Sequence, residues 1–420
     1  MRVCTFALVL ALVATTVSAR AEQPRAPQAP RVDPETVQPL VAGNTAFAVD
    51  LYREVARRSG NLFLSPYSIS AALAMTREGA RGTTRAQMDR VLHLPGDQAA
   101  SSFRDLAALL QPPLVQDGQG RQARQLPAYE LQVAGRLWGQ RGLGFLPAFL
   151  ESLRTSFGAG LTEVDFQRAA PAARDAINRW VADATRNRIR DLVPAGQPTS
   201  DTRLVLANAI YFKAGWVDEF SKRATVDGPF HKSDGTTVEV RLMRRQDDFT
   251  YAEAEGVQLL RMSYRGGELS MLVVLPRARN GLGAVEARLD GATLASWEQA
   301  MTRREVRVAF PRFRFTSALD LGAPLQALGM GEVFTADADL SGMTPAESLF
   351  LSDALHKAYV AVDEEGTEAA AATAVISITA EPNPPEPLEF KADHPFLFLI
   401  RHRKTGSILF MGRVADPSRS

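Results

Sequence analysis

The chain carries five histidines, His93, His231, His356, His394 and His402, and a hydrolase would need one of them as a base. They are scattered. No H-E-x-x-H, no G-x-S-x-G elbow, no Walker loop and no dinucleotide fingerprint surrounds any reactive side chain. Gly142-Leu143-Gly144 lacks the third glycine and the strand–helix setting that a phosphate cradle needs. His356 could serve as a general base, yet a single histidine inside LSDALHKAYVAV reads first as a hydrogen-bonded core residue. Asp363-Glu364-Glu365 offers paired carboxylates, but three consecutive acids read first as a solvated turn. No metal ligand set and no cofactor site is expected.

The unusual chemistry is in Glu364–Val375, EEGTEAAAATAV. Alanine is the best helix former, so a short helix capped by Thr367 is one reading. The other is an extended strand. Thr367, Ala369, Ala371, Thr373, Val375 and Ser377 then share one face, all small or β-branched. Such a strand could enter between two others without opening a large cavity. Gly366 leaves the backbone free to turn just before it. Beyond it, Glu381–Pro387 (EPNPPEP) has four prolines and cannot be helix or central strand. The sum is an exposed, cleavable loop, tethered at both ends, whose first half is insertable.

The elements around it follow from periodicity. Val41–Arg58 reads as an amphipathic helix, with Phe47, Leu51 and Val55 at spacing of four. Ser65 fits a helix N-cap with Pro66 at the first position, ahead of Ala71–Ala80. Arg81–Val91, Phe145–Phe157 and Ala173–Leu192 read as further helices, and Tyr129–Trp138 as a strand. Arg203–Phe212 (RLVLANAIYF) reads as a strand buried on both faces. Glu305–Phe315 alternates like one strand, and Tyr359–Val362, Phe396–Ile400 and Ser407–Val414 complete a strand-rich second half. The expected class is α+β.

Of 420 residues 45% are hydrophobic and 23% charged, with a formal net charge of +1. That excludes an overall basic footprint for nucleic acid or anionic membrane. The basic runs Arg186–Arg190 and Arg401–Lys404 read as solvated faces. Arg2, the apolar Phe6–Ala14 and Ala19-Arg20-Ala21 read as a signal peptide over 1–21, which implies a secreted, extracellular or periplasmic, protein. The single cysteine, Cys4, lies inside it. Residues 22–38 read as a Pro-rich flexible leader and 39–420 as one domain, with a loop over about 364–389.

Four motifs in order resemble the serpin family: Asn61–Met88, Leu204–Trp216, Leu351–Ala374, and Phe390–Pro417 with its ADHPF core. The resemblance implies helices around a large central mixed sheet, smaller sheets and an exposed reactive-centre loop. It implies a monomeric inhibitor whose partner is a protease. The protease attacks the loop, forms an acyl-enzyme, and is trapped when the cleaved loop inserts into the sheet. By motif, Glu364, Gly366, Thr367, Ala369, Ala370, Ala371 and Ala372 form the hinge. Ser65, Ser68, Asn208 and His356 match the polar cluster where strands part. Trp216, Arg312 and Glu364 match the point where insertion begins.

Two counts locate the scissile bond differently. From Gly366 it falls at Ala380–Glu381; back from His394-Pro395 it falls at Pro384–Pro385, so the loop is about four residues longer than is usual in the family. A proline after the bond blocks serine proteases. Ala380–Glu381 therefore stands, with Thr379–Ala380 and Ile378–Thr379 as alternatives. A small residue before the bond suits elastase-like or subtilisin-like proteases, while a papain-like cysteine protease remains open. No Arg or Lys lies between Glu364 and Glu389 to suit a trypsin-like enzyme. A non-inhibitory carrier is the competing reading.

Overall fold

In the computed structural model residues 32–117, 124–345, 349–367 and 386–419 are described. Residues 33–420 form one contact unit. The domain begins earlier than the leader reading has it. Asp33 accepts from the Glu35 amide at 3.0 Å, Pro34 opens a 3-10 turn, and Val37 is already buried, so 34–38 belong to the domain. The first helix follows at Gln38–Val55.

Two sheets dominate. The six-stranded one has strands β1 (Tyr129–Gln140), β2 (Leu161–Val164), β3 (Leu204–Gly215), β4 (Phe313–Asp320), β5 (Asp353–Val362) and β6 (Gly366–Thr367). Their spatial order is β4-β5-β6-β3-β1-β2. β1/β3 and β4/β5 are antiparallel, while β3/β5 and β1/β2 are parallel. β3 is apolar but for Asn208 and Lys213, because both its faces are covered. Val205, Ala207 and Ala209 pack with Ile177 and Val181 of the helix Phe166–Ala184. Leu204, Leu206, Ile210 and Phe212 belong to the core on the other side. The second, nine-stranded sheet runs from Leu62–Leu64 through Ile408–Val414, Phe396–His402 and Leu269–Pro276 to Leu388–Lys391 at its far edge.

Two boundaries depart from expectation for visible reasons. The helix expected over Ala173–Leu192 spans Phe166–Ala184. Arg186 and Asn187 take left-handed φ of 51° and 62°, and the Thr185 hydroxyl accepts from the Ile189 amide, which ends it. The alternating stretch Glu305–Phe315 is two strands in two sheets, Thr302–Pro311 and β4. The buried phase runs Val306, Val308, Phe310, then shifts to Phe313 and Phe315. Pro311 cannot donate, and the Arg312 amide turns to the Arg241 carbonyl at 2.9 Å.

Phe63 ties the two sheets together. It stacks on Phe410 (5.1 Å, 3°) and Phe398 (5.7 Å, 16°) and meets Phe315 of β4 edge-on at 6.5 Å. It is fully buried. Phe63→Ala leaves a cavity at this junction and is expected to cost about 3–5 kcal/mol, read as a lower urea midpoint.

Candidate functional site: the seam between β3 and β5

β3 and β5 pair in parallel over Val205–Ile210 and Asp353–Ala358. Above that, β6 lies between them. Gly366 is registered with Gly215, and Thr367 with Ala214 on one side and Val362 on the other, antiparallel to both. The seam is thus zipped below and wedged open above by two residues.

The zipped half is held by a buried polar knot. His356 and Asn208 are register partners across the seam. The Ser65 amide donates to His356 Nε2 at 3.2 Å, so that nitrogen is the acceptor and Nδ1 carries the proton, donated to Asn208 Oδ1 at 2.7 Å. Ser68 Oγ donates to the same Oδ1 at 2.7 Å, and Asn208 Nδ2 returns a bond to the Ser68 carbonyl at 3.1 Å. Ser65 Oγ donates to the Leu409 carbonyl at 2.6 Å and accepts from the Ser68 amide at 3.2 Å, which caps the helix Pro66–Gly79. All four side chains are buried. Burial lowers the His356 pKa to about 3, so the ring is neutral and the knot carries no charge.

The wedged half is built on Trp216. Its ring stacks on Tyr264 (4.5 Å, 12°) and its Nε1 donates to the Asp363 carbonyl at 3.1 Å. The Trp216 and Phe220 amides donate to the carbonyls of Glu365 and Glu364, both at 2.9 Å. The Asp363 carboxylate accepts from the Glu365 and Gly366 amides at 3.0 and 3.3 Å; burial is the main influence and raises its pKa. Glu364 is 3% exposed, accepts from Thr225 Oγ1 at 2.7 Å and lies 3.6 Å from Arg312 Nε. Lys222 pairs with Glu365. Thr367 shares a hydrogen bond with the Tyr264 hydroxyl at 2.8 Å and faces the interior. Gly366 is required. Its φ is +152°, and a Cβ there would sit 2.2 Å from the Ala214 carbonyl oxygen.

The structure therefore brings Ser65, Ser68, Asn208 and His356 into one network, and Trp216, Arg312, Glu364, Gly366 and Thr367 into another. Of the acids expected in a solvated turn, Glu364 is buried, and Asp363 and Glu365 are half-buried. Thr225 and Tyr264 were not singled out from sequence, since neither lies near the hinge in the chain. Ala369, Ala370, Ala371, Ala372 and the bond candidates Ile378, Thr379, Ala380 and Glu381 lie outside the described residues, as does 1–31. Among the described residues no three His, Cys, Asp or Glu side chains gather as a metal site, and no helix is long and apolar enough to cross a membrane.

The neutral His356 makes the knot acid-sensitive. Its folded pKa, about 3, lies below the 6.5 of an ordinary histidine. The unfolded chain binds a proton that the folded chain refuses between those values. The stabilisation is complete above pH 6.5 and is lost as pH falls toward 3, by up to about 4–5 kcal/mol. Urea unfolding of wild type and His356→Gln across pH 7 to 3 is expected to converge with falling pH; parallel curves would remove this role.

The family model described as serpin (serine protease inhibitor) matches residues 42–417. Leukocyte elastase inhibitor of Sus scrofa is 42% identical over 392 residues, covering 91% of this chain and 100% of the relative. The inhibitor of Homo sapiens is 40% identical over 393 residues, with the same shares. Among solved structures, uncleaved ovalbumin superposes with a TM-score of 0.79 at 31% identity, covering 90% of this chain and 100% of that one. Human thyroxine-binding globulin gives 0.81 at 30% identity, covering 91% and 99%. One expectation is corrected by these relatives. They are intracellular inhibitors that lack a signal peptide, and the secreted location read from residues 1–21 is withdrawn. The expected α+β architecture holds, and the chain belongs to the serpin family of serine protease inhibitors.

Proposed function

We propose that this chain is a suicide-substrate inhibitor of serine proteases, acting as a monomer, and is consumed by its target instead of turning substrate over. The observation that carries the reading is the position of Gly366 and Thr367, antiparallel between β3 and β5 at the top of a seam still joined below. A strand extended from Thr367 would run down that seam. Thr367 points inward, so Ala369, Ala371 and Thr373 share its inner face and need little space there. The target serine attacks the carbonyl of Ala380 and releases the segment that begins at Glu381. The acyl-linked half, roughly 15 residues at ~3.3 Å each, then moves the enzyme by ~50 Å as it inserts. The knot at Asn208 and His356 must part for this, and a hydrogen-bonded contact can reform with the incoming strand.

The small residue before the bond, and relatives named as inhibitors of leukocyte elastase, support an elastase-like target, with subtilisin-like enzymes next. The thyroxine complex of a structural neighbour favours the carrier reading as the second one.

Incubation with elastase-, subtilisin-, trypsin- and papain-like proteases is expected to give a covalent band on denaturing gels with the elastase-like class, and a released fragment beginning at Glu381 by mass. Clean cleavage with full protease activity retained would move the protein to the carrier reading. Ala371→Arg places a charge on the inner face. It is expected to abolish the covalent band and raise the stoichiometry of inhibition at least tenfold while the same bond is still cut. An unchanged stoichiometry would exclude insertion past that position.

A further inference from the structure

Between the helix Ala99–Leu109 and β1 the chain forms a separate two-stranded ribbon. Leu114–Asp117 and Arg124–Pro127 pair antiparallel, with Leu114 opposite Pro127 and Val115 opposite Leu126. Register partners share a face, so Val115 and Leu126 lie on one side, and Leu114, Gln116 and Gln125 on the other. Among the described residues neither outer edge meets a further strand. Leu114 is 63% exposed and Leu126 44%. A two-stranded ribbon is marginal by itself, and an edge without Lys, Pro or a bulge invites a third strand. Arg124–Pro127 carries a cation and ends on a residue with no N–H to donate. Leu114–Asp117 has a donor at every residue and no positive charge, so its edge is the open one. The ribbon is rooted beside the hinge. The Ala128 amide donates to the Pro113 carbonyl at 2.8 Å, and both residues close on the turn at Gly266. A Cβ on Gly266 would lie 2.6 Å from Ala128 Cβ, 3.4 Å from Pro113 Cγ and 3.6 Å from Val115 Cγ1. Just before that turn, Tyr264 shares its hydrogen bond with Thr367.

We propose that, in the uncut protein, Val375–Ile378 of the chain's own loop pairs with the outer edge of Leu114–Asp117 as the ribbon's third strand. The chain outside the described residues runs from 368 to 385 and starts at Thr367. Tyr129, where the ribbon joins β1, is registered with Ala214, and Ala214 with Thr367. The two roots are therefore about two strand spacings, ~10 Å, apart. Extended, Glu368–Ala374 covers up to ~23 Å, which is enough to reach the ribbon. The next four residues suit the edge: Val375, Ile376 and Ile378 are β-branched, and the four carry neither charge nor proline. Ile376 and Ile378 lie on the Val115 side, while Val375 and Ser377 lie beside Leu114 and Gln116. The edge gains its ladder bonds, and Leu114 and the isoleucines lose contact with water. Thr379, Ala380 and Glu381 then leave the ribbon in extended form, where a protease can take them. What the pairing does for inhibition rests on the reading above. Its existence does not, and it is measured without any protease.

The test is disulfide scanning in the full chain carrying Cys4→Ser. Gln116→Cys is combined in turn with Val375→Cys, Ile376→Cys, Ser377→Cys and Ile378→Cys, and linked peptides are identified by mass after mild oxidation. An intramolecular disulfide is expected at Val375 or Ser377, with at least tenfold lower yield at Ile376 and Ile378, because alternate residues face opposite sides. Equal yields at all four positions, or none at any, overturn the proposal. So do disulfide-linked dimers in place of the intramolecular bond, since a second copy then occupies the edge. Hydrogen exchange gives a reading without engineered cysteines. The outward amides of Leu114–Asp117 are expected to exchange at least tenfold faster in Ile376→Ser/Ile378→Ser than in wild type, and equal rates overturn the pairing. Circular dichroism and urea midpoints check that each variant is folded. A protein that shows the disulfide pattern yet forms no covalent band with any protease keeps this pairing and loses the inhibitor reading.

Discussion

The contact between Asn208 and His356 is where the rest of the molecule is decided. It joins two residues 148 positions apart in the chain, and it is the buried polar pair in a seam whose neighbouring register pairs are mostly Leu, Ala, Val and Ile. Apolar side chains would close such a seam without direction. A neutral imidazole with one donor and one acceptor closes it with a defined register, because Nδ1 must face Asn208 once the Ser65 amide has claimed Nε2. The helix Pro66–Gly79 supplies both serines and its own capping bond to the same network. Sheet and helix are therefore locked by one set of hydrogen bonds, each satisfied, and none charged.

Above the knot the competition runs the other way. β3 and β5 are parallel neighbours below and cannot pair above, because β6 stands between them. The corner that holds β6 there is made of backbone bonds to Trp216, Phe220 and Asp363, with Gly366 the residue that fits against Ala214. The ion pair of Glu364 with Arg312, at 3.6 Å and with Arg312 nearly half exposed, is the weaker part. Thr225 does more for Glu364 by donating its hydroxyl to the buried carboxylate at 2.7 Å. The two residues already inserted remove the most expensive step, the opening of the first gap, from any further insertion.

Much of this was legible in the sequence. Ser65-Pro66 reads as a helix start, and it is one. The continuous apolar run of β3 reads as a strand covered on both faces, and two different cores cover it. The two polar clusters came from the family resemblance; spacing alone gives no reason to connect Ser65 with His356 across 291 positions. Other features needed three dimensions. Val306, Val308 and Phe310 against Phe313 and Phe315 do carry a phase shift, yet only the Arg241 carbonyl shows that the chain changes sheets there. Thr225 and Tyr264 are invisible from sequence because their partners, Glu364 and Thr367, lie over a hundred residues away. Asp363-Glu364-Glu365 misled for the ordinary reason that charge suggests solvent, while here amides and a threonine replace the water.

The fold by itself does not choose between trapping a protease and holding a small molecule. Thyroxine-binding globulin, solved with its hormone, shares this architecture at a TM-score of 0.81. The choice has to lie in what insertion costs. Every inserted residue adds ladder bonds on two sides, each worth about 0.5–1.5 kcal/mol net, and that gain is much the same for any sequence without proline. The cost is set by the inner face, where a large or charged side chain must displace packed atoms or lose its water. From Thr367 this chain offers alanine, alanine and threonine to that face, and reserves its prolines for the far side of the proposed bond. Its sequence keeps the cost low over the stretch that would have to insert and raises it only beyond, which is the pattern that insertion after cleavage requires.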